Sequence, residues 1–168
     1  MLYRNSTDLA EGWAAQALPS MALAGLILLS ALPTPFDQRP LPDFVLIAVY
    51  LASVRRPPAV SAPVLFGLGL LHDLLSAVPV GLHAFVYVLV YGLASNLPLD
   101  PHRLSHLWLG FVPVAALAAA ASWFAVSVYH VIWLAPDPML ARAAASIVVF
   151  PLLAFVLTWV LWSRRDEP

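Results

Sequence analysis

The sequence predicts an all-α integral membrane protein, a bundle of about six transmembrane helices forming one domain over residues 1–168. Three observations predict it. Of the 168 residues, 62% are hydrophobic and only 10% charged, whereas a soluble domain carries roughly 25% charged and 45–50% apolar residues. Apolar runs follow one another along the whole chain with only short polar or Pro-containing breaks between them. The basic residues, all of them Arg, gather at the ends of those runs. So few charges cannot cover a folded surface in water, so the excess apolar residues must face lipid.

Two classes are excluded at once. Without Cys there is neither a disulfide framework nor a thiolate metal site. The formal charge of −1 says nothing about nucleic acid or acidic partners, since the placement of the arginines is more informative; no nucleic-acid partner is expected. Ala17 to Leu32 has the apolar character of a signal-peptide core, but such a core follows a positive leader. Here Arg4 is outweighed by Asp8 and Glu11, so the segment is expected to stay as a first transmembrane helix.

Spanning the hydrocarbon takes about 20 largely apolar residues. Segment 1 covers 13–32 and stops at Pro33-Thr34-Pro35. Segment 2 covers 41–54, is short, and lies between Arg39-Pro40 and Arg55-Arg56-Pro57-Pro58. Segments 3 and 4, 60–78 and 80–97, are divided only by a turn at Pro79 and Gly81 and must form an antiparallel hairpin. Segment 5, 107–134, has 28 residues and is expected to tilt or to extend beyond the membrane. Segment 6 covers 143–162 and ends at Ser163-Arg164-Arg165. The connections leave no room for an extramembrane domain.

Cytoplasmic loops collect Lys and Arg. Six spans put Arg4, Arg55, Arg56, Arg103, Arg164 and Arg165 on one side and only Arg39 and Arg142 on the other. Both termini are therefore expected in the cytoplasm. Trp13, Trp133, Trp159 and Trp162 fall near span ends, where amphipathic rings suit the interface.

Asp73 is the first candidate for chemistry, because a carboxylate within an apolar span is costly and has a partner or a task. At about 1.5 Å per residue from Val60 it sits roughly 20 Å across, toward the outer face. Asp43, Arg39, Arg142 and His83 fall at a similar depth. An ion or proton site is one reading. The favoured reading is structural: Asp73 caps the start of segment 4 near Gly81 to Ala84, or pairs with Arg39, Arg142 or His83.

Other catalytic sets are missing. His72-Asp73 lacks the further ligands of a metal phosphohydrolase, and the five His are scattered. His102 and His106, four apart beside Asp100, lack a third strong ligand and read as a solvated loop. There is no Gly-x-Ser-x-Gly, no His-Glu-x-x-His and no Gly-rich phosphate loop, since Gly67 and Gly69 lie within a span. No catalysis, cofactor or metal is expected. The small-residue run Ala115 to Ser122 suits close helix approach, either within the bundle or against a partner helix. Ala48 and Ala52 give segment 2 a weaker version of that pattern.

Arg39 to Ser95 resembles the MreD family of bacterial rod-shape-determining membrane proteins. The residues that carry the resemblance are Arg39-Pro40-Leu41-Pro42-Asp43, the closing Arg55-Arg56-Pro57, the Gly67-x-Gly69 helix leading to Asp73, and the Pro79-x-Gly81 turn. They cover about a third of the chain. His72 departs from the pattern, which has an apolar residue there, and Ala77-Val78 stands where Gly is more usual.

The resemblance implies a non-enzymatic scaffold of the cell-elongation complex in the bacterial inner membrane, supporting peptidoglycan synthesis and rod shape. Its implied partners are MreC, through its single membrane helix, and more loosely MreB, RodA and a class B penicillin-binding protein. The family is also similar in fold to the substrate-binding subunits of energy-coupling-factor transporters. The rival expectation is therefore a small-molecule binding subunit of such a transporter, although the outer loops are short and poor in polar groups.

Overall fold

The computed structural model describes residues 6–32, 41–76, 78–101 and 103–162, and side chains among them from 17 to 156. These residues form six α-helices and no strand: α1 (Ser6–Ser30), α2 (Phe44–Arg55), α3 (Ala62–Ser76), α4 (Leu82–Asn96), α5 (Leu104–His130) and α6 (Asp137–Trp162). Each predicted segment corresponds to one helix, but the lengths depart from six full spans. Among the residues whose side chains are described, only Leu104–His130 and Asp137–Val156 form helices long and apolar enough to cross a membrane. Helices α2, α3 and α4 have 12, 15 and 15 residues. At about 1.5 Å per residue they fall short of a hydrocarbon core of about 30 Å.

The shortening has local causes. Asp43 starts α2 by accepting the Leu46 N–H on Oδ1 at 2.9 Å, the bond of an N-cap. Arg56 ends it in the left-handed region (φ 49°), its N–H bonded to the Ala52 carbonyl, and Pro57 blocks continuation. Residues 78–81 form the turn that trims α4, with Gly81 at φ +101°, and α3 ends at Ser76. Helix α5 stops at Val131 (φ 57°), three residues before the predicted limit. The chain then folds back: Leu134 donates its N–H to Ser127 Oγ at 3.4 Å, and its carbonyl accepts from Trp123 Nε1 at 2.8 Å. Helix α6 starts six residues earlier than predicted, so Arg142 lies in its second turn and not in a loop.

Helix α2 is the centre of the bundle. Nine consecutive residues, Val45 to Ser53, are buried, the pattern of a helix enclosed on all sides. Tyr50 packs edge-on against Phe111 of α5 and Phe150 of α6, with ring centroids 5.2 and 5.8 Å away, and those two rings stack at 4.5 Å. Its hydroxyl donates to the Leu107 carbonyl at 2.9 Å. Gly110 makes room for this contact, since a Cβ there would lie 2.6 Å from the Tyr50 oxygen. Helices α3 and α4 meet as closely at Gly69, where a Cβ would lie 2.5 Å from the Ala84 nitrogen.

The outward faces are apolar. Met21 and Leu29 on α1, Phe66 and Leu74 on α3, Phe85 on α4, Leu109 and Phe124 on α5, and Val148 and Phe155 on α6 are all exposed.

Candidate functional site

Cross-bundle bonds between Ser30 and His72, Asp43 and Ser146, and Asp73 and His83 gather polar groups where α1 and α3 end and α2, α4 and α6 begin. Asp73 organises one half of this cluster. Its Oδ2 accepts the Gly81 N–H at 2.8 Å, and its Oδ1 accepts the His83 N–H and lies 2.8 Å from His83 Nδ1. The physical need is plain. Helix α4 opens on Gly81, which has no side chain with which to cap, and first-turn N–H groups have no helical acceptor. The last turn of α3 supplies that acceptor. The carboxylate is 1% exposed and has three donors on its two oxygens.

His72 forms the layer beneath. Its ring stacks on His83 with centroids 4.0 Å apart, Nδ1 lies 2.5 Å from the Tyr87 hydroxyl, and Nε2 lies 3.4 Å from Ser30 Oγ. Ser30 spends its own proton on the Ile27 carbonyl at 2.8 Å, so its oxygen accepts from His72. The neutral ring then carries its proton on Nε2, and Tyr87 donates to Nδ1. The family pattern that the sequence resembles has an apolar residue at position 72. The structure instead makes it the link between α1, α3 and α4, through partners 42 and 15 residues away.

Asp43 sits in the other half. Besides capping α2, it donates its backbone N–H to Ser146 Oγ at 2.8 Å, and Ser146 donates to the Arg142 carbonyl. Pro42 precedes it, its carbonyl accepting the Phe44 N–H at 3.1 Å. Among the described residues no ion pair joins Arg142 to Asp73. The third candidate partner of Asp73, Arg39, lies outside the described residues. Between the two halves is a cavity of about 330 Å³, whose lining includes Asp43, His83, Tyr87, Ala118, Arg142 and Ser146.

The remaining sequence candidates are not at this site. Arg55 and Arg56 close α2 at its far end. Gly67 is exposed with open space around it, unlike Gly69. Pro79 accepts the Leu82 N–H at 3.1 Å within the turn. His106 is exposed in the first turn of α5, and His102 lies outside the described residues. No group of three His, Cys, Asp or Glu able to hold a metal occurs among the described residues. The small-residue run splits between two faces: Ala115, Ala118, Ala119 and Ser122 border the cavity, while Ala121 borders an outer groove with Phe85, Phe124, Ala125 and Val128.

No family model, no curated protein and no solved structure matches this chain.

Proposed function

We propose that this chain is an MreD-like scaffold of the bacterial cell-elongation complex, a multi-pass inner-membrane protein that supports peptidoglycan synthesis by binding MreC through its helix faces. One observation carries the reading. The residues behind the resemblance are spent on building the bundle: Asp43 caps α2, Asp73 caps α4, Gly69 admits the α4 backbone and Gly81 makes the turn. That leaves the apolar outer faces as the surface through which the protein acts. Helices in lipid associate by close packing and a few polar bonds, not by hydrophobicity.

The membrane placement draws on those same faces, since an exterior apolar on five helices suits lipid and not water. Six membrane-embedded helices with both termini cytoplasmic follow the six-to-two division of the arginines. In this arrangement α5 and α6 cross on their own length, and α2 is shielded from lipid by its neighbours. MreB, RodA and a class B penicillin-binding protein are reached directly or through MreC.

The rival reading, a small-molecule binding subunit of an energy-coupling-factor-type transporter, draws on the 330 Å³ cavity. Gentle solubilisation of native membranes separates the two. The scaffold reading expects a single-span partner to co-purify with the chain. Tight binding of a vitamin-sized ligand, with no membrane partner retained, defeats it.

A further inference from the structure

We infer that the cavity between α4, α5 and α6 is a binding site for an anionic amphiphile, a carboxylate or phosphate head on an apolar chain. The volume of about 330 Å³ lies at the lower end of the roughly 300–1,000 Å³ typical of ligand pockets. Its α5 wall is Ala115, Ala118, Ala119, Ser122 and Val126, mostly small side chains that leave the space open and, apart from the Ser122 hydroxyl, offer only carbon to an occupant.

The rim carries both signs, with Arg142 and Asp43 both in the lining. Arg142, exposed on α6, borders the cavity, and no ion pair engages it among the described residues. Both carboxylates nearby are already engaged by backbone donors: Asp73 by Gly81 and His83, Asp43 by Leu46. Helices α4 and α6 also begin at this end, and helix N-termini favour negative charge. His83 presents its ring to the same space with Nδ1 held by Asp73. An acidic head against Arg142, with its chain along the alanines, matches both parts of the lining. A neutral head leaves Arg142 without a counter-charge.

Binding of decanoate to the purified full chain in a neutral maltoside tests this, with decanol and acetate as controls. One decanoate per chain is expected, with acetate showing no measurable binding and decanol binding about tenfold more weakly, as for loss of one charge-assisted contact. Arg142→Gln should weaken decanoate about tenfold while Arg142→Lys restores most of it. Ala118→Leu, which fills the cavity, should abolish binding. Native mass spectrometry of the unexposed protein tells a bilayer phospholipid from a free fatty acid, and either one, lost in Ala118→Leu, supports the site. If Ala118→Leu fails to fold, the Arg142 pair decides alone. Absence of decanoate binding, or equal binding by wild type and Arg142→Gln, overturns the inference.

Discussion

The Trp108 indole donates to the Ile147 carbonyl at 3.0 Å, the acceptor in α6 that Pro151, four residues on, leaves without its helical N–H. Helix α5 thus repairs a gap that proline opens in α6. Such repair matters most in lipid, where water cannot take the bond. Trp108→Phe should lower stability by about 1–3 kcal/mol. Adding Pro151→Ala, which restores the N–H, should remove most of that penalty. Equal penalties in both backgrounds, read from thermal unfolding in detergent, would show the bond to be incidental.

Asp73 gives a graded series. Asp73→Ala leaves the Gly81 and His83 N–H groups without their acceptor, at about 1–3 kcal/mol for each buried unpaired group. Asp73→Asn keeps one carbonyl oxygen for the cap and loses the charge opposite His83, so its loss should fall between wild type and Ala. The structural reading fails if Asp73→Ala leaves both thermal stability and partner co-purification untouched.

The two helix glycines of α3 should behave oppositely. Gly69→Ala drives a methyl into the Ala84 backbone, and overpacking of this kind costs about 1–3 kcal/mol. Gly67→Ala meets nothing within 4 Å, and it gains up to about 1 kcal/mol of helix propensity. A thermal-shift comparison of the two variants is sufficient, and similar midpoints would contradict the close α3–α4 contact.

Hydropathy alone located all six helices, because apolar runs broken by Pro, Gly and Arg leave few other readings. Their ends were less legible. Apolar residues continue past Val131, so the left-handed turn there carries no hydropathy signal and no Gly marks it. The start of α6 was readable in principle, since Asp137-Pro138 is a helix-start pair, but hydropathy weighs against exactly such residues. The structural candidate partners of Asp73 included Gly81 and His83, because sequence proximity across a tight turn limits the choices. The His72–Tyr87–Ser30 bonds were not legible: they join residues whose neighbourhood exists only after three helices pack. The centrality of α2 was hidden for a similar reason, since a 12-residue run that is apolar but for Ser53 and Arg55 reads alike whether protein or lipid surrounds it.

The division of α5 into two faces predicts a separation of effects. Ala118 is buried beside the cavity, and Ala121 borders the outer groove. Ala121→Leu should reduce co-purification of a single-span partner at least severalfold while the fold survives. Ala118→Leu should leave partner recovery unchanged. The reverse pattern, in folded protein, would move the partner surface away from this groove.

The most direct measurement is site-specific photocrosslinking in native membranes, with the photoreactive residue placed singly at Ala121, Phe124 or Phe85 on the outer groove and at Ala118 as the buried control. Binding through helix faces predicts an adduct with MreC from at least one groove position and none from Ala118. The account is contradicted if none of the three groove positions captures a membrane protein.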